Sequence, residues 1–244
     1  MAIDRYLDLL YIPLALPLPP KVSASEFFTW ADEIRPHEKL KRYEAHWPFV
    51  YRGKRFPWNN INFVKTNHPD LKFFGPDDSV GSIDKSLDIK LIESRWPEIF
   101  NYFENFPIEE VVMVQFLNQR REVELHYDYD RIWGMRTVLQ NNGGNVLYLK
   151  KSADKWDPPL NRLPLENYSN NPNLLQPEEF QTLAPDSDTY SFMINQLRCV
   201  HGVKASPEGS EKLVVAIQGR LDHNKLERLL EKSLDQYSNL AVWH

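Results

Sequence analysis

Beyond Pro107 the chain falls into short runs in which apolar residues alternate with polar ones or stand in unbroken blocks. They are "EEVVMVQFLN", "REVELHYDYD", "MRTVLQNN", "GNVLYLKK", "DTYSFMINQ", "CVHGVKAS" and "EKLVVAIQGRLD". Alternation suits a sheet with one buried face, because successive side chains of a strand point to opposite sides; an unbroken block suits a strand covered on both faces. Turn residues punctuate the runs, and seven strands so spaced predict an antiparallel double sheet of jelly-roll type.

Upstream the period changes. "SASEFFTWADEI", Ser23 to Ile34, predicts a helix capped by Ser23 or Ser25, and "PFVYRG" and "NNINFVKTN" read as strands. In "SRWPEIFNYFENFP", Ser94 to Pro107, the spacing of Trp96, Ile99, Phe100 and Phe103 makes a core-facing helical stripe. Leu226, Leu229, Leu230 and Leu234 repeat it near the carboxy end, as expected of a terminal helix packed on the core rather than of a dimer seam. The stretch from Lys151 to Asp186, rich in Pro and Asn, is long for a hairpin connection and reads as an insert that covers a site or decorates the surface. The expectation is therefore one domain over residues 1–244: a mixed α/β part at 1–93, a jelly-roll core at 94–222 with the lid-like insert at 151–186, and a helix at 223–244. The class is mainly β with flanking helices, α+β.

Composition changes this picture little. The chain has 244 residues, 42% apolar and 13% aromatic, enough for one sizeable core. Eighteen prolines against nine glycines fit short elements joined by stiff turns. "PLALPLPP", from Pro13 to Pro20, suits an extended polyproline stretch, the one feature in favour of an assembly protein with docking arms. A net charge of -5, with basic residues only in small clusters such as Lys39 to Arg42, argues against a nucleic-acid partner. The single cysteine, Cys199, leaves no internal disulfide, and the amino-terminal stretch reads as neither a secretory signal nor a membrane span. A cytoplasmic protein is expected.

Candidate chemistry concentrates in "VELHYDYD". His126 and Asp128 are two residues apart on an expected strand, which puts both on one face with Cα atoms about 7 Å apart, within reach of one ion. His201, in "RCVHGV", lies in another expected strand that antiparallel pairing can bring opposite the first. Two histidines and a carboxylate on one face compose the facial triad of non-haem Fe(II) oxygenases; with a bound water the same donors suit zinc in a hydrolase or isomerase. A strand histidine beside a carboxylate is also an ordinary hydrogen-bonded pair, so the tripeptide alone does not decide. His37, His46, His68, His223 and His244 stand outside such a pattern.

The order of elements adds a resemblance. A helix, "WPEIFNYFENFP", precedes a strand, "VVMVQFLN"; then come "HYD", "RTVLQNNGG" and "SFMINQLRCVHGV…EKLVVAIQGRLD". From Trp96 to Asp222 this resembles the 2-oxoglutarate and Fe(II)-dependent dioxygenases, most closely the aspartyl/asparaginyl β-hydroxylase-like branch that includes bacterial proline hydroxylases. The resemblance implies a double-stranded β-helix, cupin-like core, with His126, Asp128 and His201 holding Fe(II), 2-oxoglutarate as cosubstrate and O₂ as oxidant. It implies a basic anchor for the far carboxylate of 2-oxoglutarate about ten residues after the distal histidine, where Lys212 stands eleven after His201. The branch generally has arginine there; lysine gives a point charge instead of a bidentate fork. Arg136, which matches a cosubstrate-binding arginine of the branch, ranks with Lys212, and Arg220 ranks behind them. Aspartate at position 128, where related halogenases carry glycine or alanine, implies oxygen insertion or desaturation rather than chlorination.

Tyr129, Arg131 and Trp133 follow the first two ligands and serve either the substrate side or the turn. The expected partner is a small amino-acid-like molecule or a peptide side chain, with no membrane; oligomeric state is left open. The rival to an enzyme is a jelly-roll binding module that has lost its chemistry.

Overall fold

The computed structural model describes residues 2–34, 50–51, 54–55, 60–65, 87–117, 123–126, 133–141, 147–150, 180–183, 190–195, 200–203 and 212–243. Its strands in chain order are β1 (Leu9–Pro13), β2 (Val50–Tyr51), β3 (Lys54–Arg55), β4 (Asn60–Val64), β5 (Leu87–Asp88), β6 (Ile108–Leu117) and β7 (Val123–His126). There follow β8 (Trp133–Asn141), β9 (Leu147–Lys150), β10 (Phe180–Leu183), β11 (Ser191–Asn195), β12 (Val200–Val203), β13 (Lys212–Leu221) and β14 (Val242–Trp243). The helices are α1 (Ala24–Ile34), α2 (Lys90–Arg95), α3 (Pro97–Tyr102) and α4 (His223–Tyr237). Among the described residues no helix is long and apolar enough to cross a membrane.

An eight-stranded sheet runs in the order β14-β1-β11-β8-β13-β6-β4-β5, a four-stranded sheet in the order β10-β9-β12-β7, and β2 pairs with β3. Between Ile108 and Leu221 the antiparallel pairs are nested: β6 with β13, β7 with β12, β8 with β11, β9 with β10. The outermost and third pairs belong to the large sheet, the second and innermost to the small one.

The seven runs beyond Pro107 all form strands. The eighth of the set, β10, lies inside the stretch expected as an insert, where four residues, "FQTL", are too few for alternation to stand out. Residues 151–179 of that stretch lie outside the described residues. β1 departs from expectation too: "LLYIP" is a fully buried strand between β11 and β14, and Leu14 beyond it donates its N–H to the Ser191 carbonyl at 2.7 Å.

One face of the large sheet is packed by helices. Phe27 of α1 stacks on Phe116 of β6 with ring centroids 4.3 Å apart, and Trp30 stacks on Phe63 of β4 at 5.9 Å. Trp96, Ile99 and Phe103 are buried as their spacing predicts, although Pro97 divides the segment into α2 and α3, each one short helix. Asp222 caps α4 by accepting the Lys225 N–H at 2.9 Å; Leu226, Leu229 and Leu230 are buried and Leu234 packs beside them, which is core packing. Each large side chain so buried contributes about 1.5–3 kcal/mol.

Most polar groups on this face find partners, although the buried Trp96 Nε1 has none. The Tyr102 hydroxyl donates to the Pro17 carbonyl at 2.9 Å and lies 2.8 Å from Ser191 Oγ, which is itself 2.8 Å from Thr137 Oγ1. Asn195 Nδ2 donates to the Leu7 carbonyl at 2.9 Å, and Ser233 Oγ donates to the Leu229 carbonyl at 2.7 Å. Where β6 carries an extra residue against β13, Gly219 leaves room for the chain: a Cβ there would stand 2.1 Å from the Glu110 carbonyl oxygen.

Candidate functional site

In the four-stranded sheet, His201 of β12 is the direct register partner of His126 of β7. Directly opposed positions of an antiparallel pair share one face of the ladder, with Cβ atoms about 4.5–5.5 Å apart. The sequence places the two histidines far apart, and the ladder brings them level. Toward Val203 the register shifts, three residues of β7 spanning two of β12, a bulge of the kind found beside active sites. β12 lies between β9 and β7, with Leu149 opposite His201 on its other side. Asp128 lies outside the described residues, as do the side chains of His126 and His201. Among the described residues no three His, Cys, Asp or Glu groups gather as a metal site. Histidine at two paired backbone positions is a residue type that a divalent transition metal takes readily as ligand.

The basic candidates are in the large sheet. Lys212, the first residue of β13, is only 1% exposed. Leu213, Val215 and Ile217 pack among the helices, so alternation sends Lys212, Val214 and Ala216 to the opposite face, which is helix-free among the described residues. Arg136 of β8 is the register partner of Ala216 on one side and of Phe192 on the other, which places it on the same face. Burial first, and the nearby Arg136 guanidinium second, lower the Lys212 pKa to about 7. A lysine and an arginine drawn together on a face walled by Val138, Val214 and Phe192 are residue types that suit a carboxylate.

Arg220 is not part of this pair. It stands eight residues along β13 from Lys212, about 26 Å at strand rise, exposed and 4.0 Å from Glu109. Trp133 is buried with the helix-side core. Tyr129 and Arg131 lie outside the described residues. Arg136 and His126, although ten residues apart, share no strand face, because β7 and β8 belong to different sheets.

Two further polar side chains occupy the helix-free face. Gln218 is 6% exposed, and neither its Nε2 nor its Oε1 has a hydrogen-bond partner; Asn62 Oδ1 on β4 is likewise buried and unpartnered. No motif spacing marks them. The only trace in the sequence is an amide inside the apolar run "LVVAIQG".

No family model matches the chain, and no curated protein matches it. Among solved structures it is similar to the non-heme alpha ketoglutarate dependent carbocyclase SnoK from nogalamycin biosynthesis, at 12% identity and a TM-score of 0.39, over 88% of this chain and 81% of that one. It is similar to HygX from Streptomyces hygroscopicus, crystallised with nickel and 2-oxoglutarate, at 12% identity and a TM-score of 0.39, over 90% and 86%. A third is EctD from S. alaskensis with 2-oxoglutarate and 5-hydroxyectoine, at 12% identity and a TM-score of 0.38, over 90% and 74%. At scores this low the reading of the site rests on the chain's own residues.

Proposed function

We propose that the protein is a non-haem, 2-oxoglutarate-dependent Fe(II) oxygenase of the aspartyl/asparaginyl β-hydroxylase-like branch, hydroxylating an amino-acid-like small molecule or a peptide side chain. The observation that carries the reading is the register of His126 with His201. His126, Asp128 and His201 would hold the metal. Bound there, Fe(II) with 2-oxoglutarate supplies the oxidising chemistry, consuming O₂ and releasing succinate and CO₂.

The nested strand pairs support a jelly-roll, double-stranded β-helix arrangement in which the four-stranded sheet covers the helix-free face of the large one. Burial supports the same arrangement: Lys212, Val138 and Val214 lie on that face, no described helix packs on it, and each is nevertheless withdrawn from water. In that arrangement Lys212 and Arg136 would hold the far carboxylate of 2-oxoglutarate. Lys212 contributes charge, Arg136 a planar fork that fixes orientation, and the apolar wall around them excludes water.

The test is an anaerobic titration of the metal-free protein with Fe(II) and then 2-oxoglutarate, followed by visible absorption. A weak charge-transfer band that forms in the parent and is lost in His126→Ala is the expected result. Iron uptake without the band overturns the oxygenase reading in favour of a zinc-type hydrolase or isomerase, and failure to bind metal overturns it in favour of a binding module.

A further inference from the structure

The helix-free face carries more polar groups than a dicarboxylate needs. Asn62, Gln115, Ala216, Arg136 and Phe192 are successive register partners across β4, β6, β13, β8 and β11, forming one transverse row. At a strand spacing of about 4.8 Å, the row places Asn62 about 14 Å from Arg136. Gln218 stands two residues along β13 from Ala216 on the same face, opposite Met113, itself opposite Val64. At the centre is Ala216, a small side chain that is itself buried.

Buried amides that lack partners are uncommon, because each forfeits its hydrogen bonds to water without replacement. Gln218 lacks partners at both ends of its amide, and Asn62 Oδ1 lacks one too. Together they present two acceptors and one donor group on a single face, beside but separate from the cation pair.

We propose that Gln218 and Asn62 form the substrate-binding subsite, and that the part of the substrate it holds is neutral, with at least two donor hydrogens and one acceptor: a primary carboxamide or a pair of hydroxyls. A carboxylate is excluded on chemical grounds, since it has no hydrogen to give the two waiting oxygens. The proposal deepens the oxygenase reading and rests on it for the cosubstrate at Lys212 and Arg136. It separates the roles on one face: the charged end takes the dicarboxylate, the neutral end selects the molecule to be oxidised. The Cα atoms of Gln218 and Asn62 are about 12 Å apart, from two strand spacings and one residue pair, a span suited to a small molecule.

Gln218→Met, an apolar side chain of similar length, tests this in two ways. If the amide is kept for a ligand, the ligand-free variant melts several degrees above the parent; a lower melting temperature means the amide is already satisfied within the fold and overturns the proposal. The second arm uses the full chain loaded with Zn(II) and 2-oxoglutarate and ligand-observed NMR. The probes are primary carboxamides, each paired with its carboxylate (L-glutamine with L-glutamate, succinamate with succinate), and vicinal diols such as erythritol. Binding of carboxamides or of diols, but not of carboxylates, identifies the source, and that binding falls at least tenfold in the variant. Equal binding of carboxylates, no binding by either neutral class, or binding unchanged in the variant overturns it. 2-Oxoglutarate affinity is measured alongside: its absence in the parent counts against the oxygenase reading, while the melting and probe arms still judge Gln218.

Discussion

The two faces of the eight-stranded sheet are built from the same strands and differ in how they treat polar groups. On the helix-covered face, Tyr102, Ser191 and Thr137 close a hydrogen-bonded chain, Asn195 and Ser233 each reach a backbone carbonyl, and the indole N–H of Trp96 is buried without a partner. On the other, a lysine is buried beside an arginine, and a glutamine is buried with nothing to bond. Satisfied polar groups hold a fold together, whereas unsatisfied ones and crowded like charges oppose it and persist where a ligand completes them. A single strand, β13, contributes to both faces, since Leu213, Val215 and Ile217 pack the core while Lys212, Val214, Ala216 and Gln218 face the other way.

Mutations on either side should separate along that line. The largest expected effect is on the open face: Lys212→Met weakens 2-oxoglutarate binding about 100-fold, within the 2–5 kcal/mol range for removing one partner of a buried charge pair. Its cost to the melting temperature is small beside the loss of binding, because burial already penalises the charge that the lysine carries. Calorimetry of both quantities checks it, and loss of fold would erase the distinction between the faces.

On the covered face, Ser191→Ala strands the Thr137 hydroxyl, leaves Tyr102 only its bond to Pro17, and costs about 2 kcal/mol of stability, seen as a drop of about 4–8 °C in melting temperature. Affinity for 2-oxoglutarate should not change. A smaller and more specific effect comes from pH. Lys212 has its pKa lowered to about 7 in the folded protein, and a dicarboxylate needs it protonated. Binding therefore takes up a proton above that pH, and 2-oxoglutarate affinity should fall up to tenfold, about 1.4 kcal/mol, per pH unit as pH rises from 7. Lys212→Arg, charged throughout, flattens this slope. The same shift acts on stability with the opposite sense: the unfolded lysine keeps its proton to its ordinary pKa near 10.5, so stability rises with pH from about 7 to that value. The smallest effect is at the cap of α4, where Asp222→Ala costs about 1 kcal/mol in chemical denaturation and leaves the site untouched.

What could be read in advance follows from the range of the interactions involved. Apolar periodicity is local, so the seven strands beyond Pro107 and the stripes of α3 and α4 stood out in the chain. β10 was hidden because four residues carry too little pattern, and β1 because its block of apolar residues sat among prolines. The histidines could be nominated as residue types, but their level placement depends on the register of β7 with β12 and its bulge, set by pairing between distant segments. The same holds for Lys212 and Arg136, whose shared face exists only once β8 lies against β13. Gln218 offered least, because a lone amide in an apolar run acquires meaning only from what surrounds it.

The position of β7 at the edge of the four-stranded sheet has a consequence for exchange kinetics. Among the described strands β7 has one neighbour, β12, whereas β12 has two. The amide hydrogens of Val123 to His126 should therefore trade with deuterium through local fraying well before those of Val200 to Val203. An ion gripped by both histidines would fasten the loose strand to the held one, so metal uptake should be legible as slowed deuteration of β7 alone, before any turnover takes place.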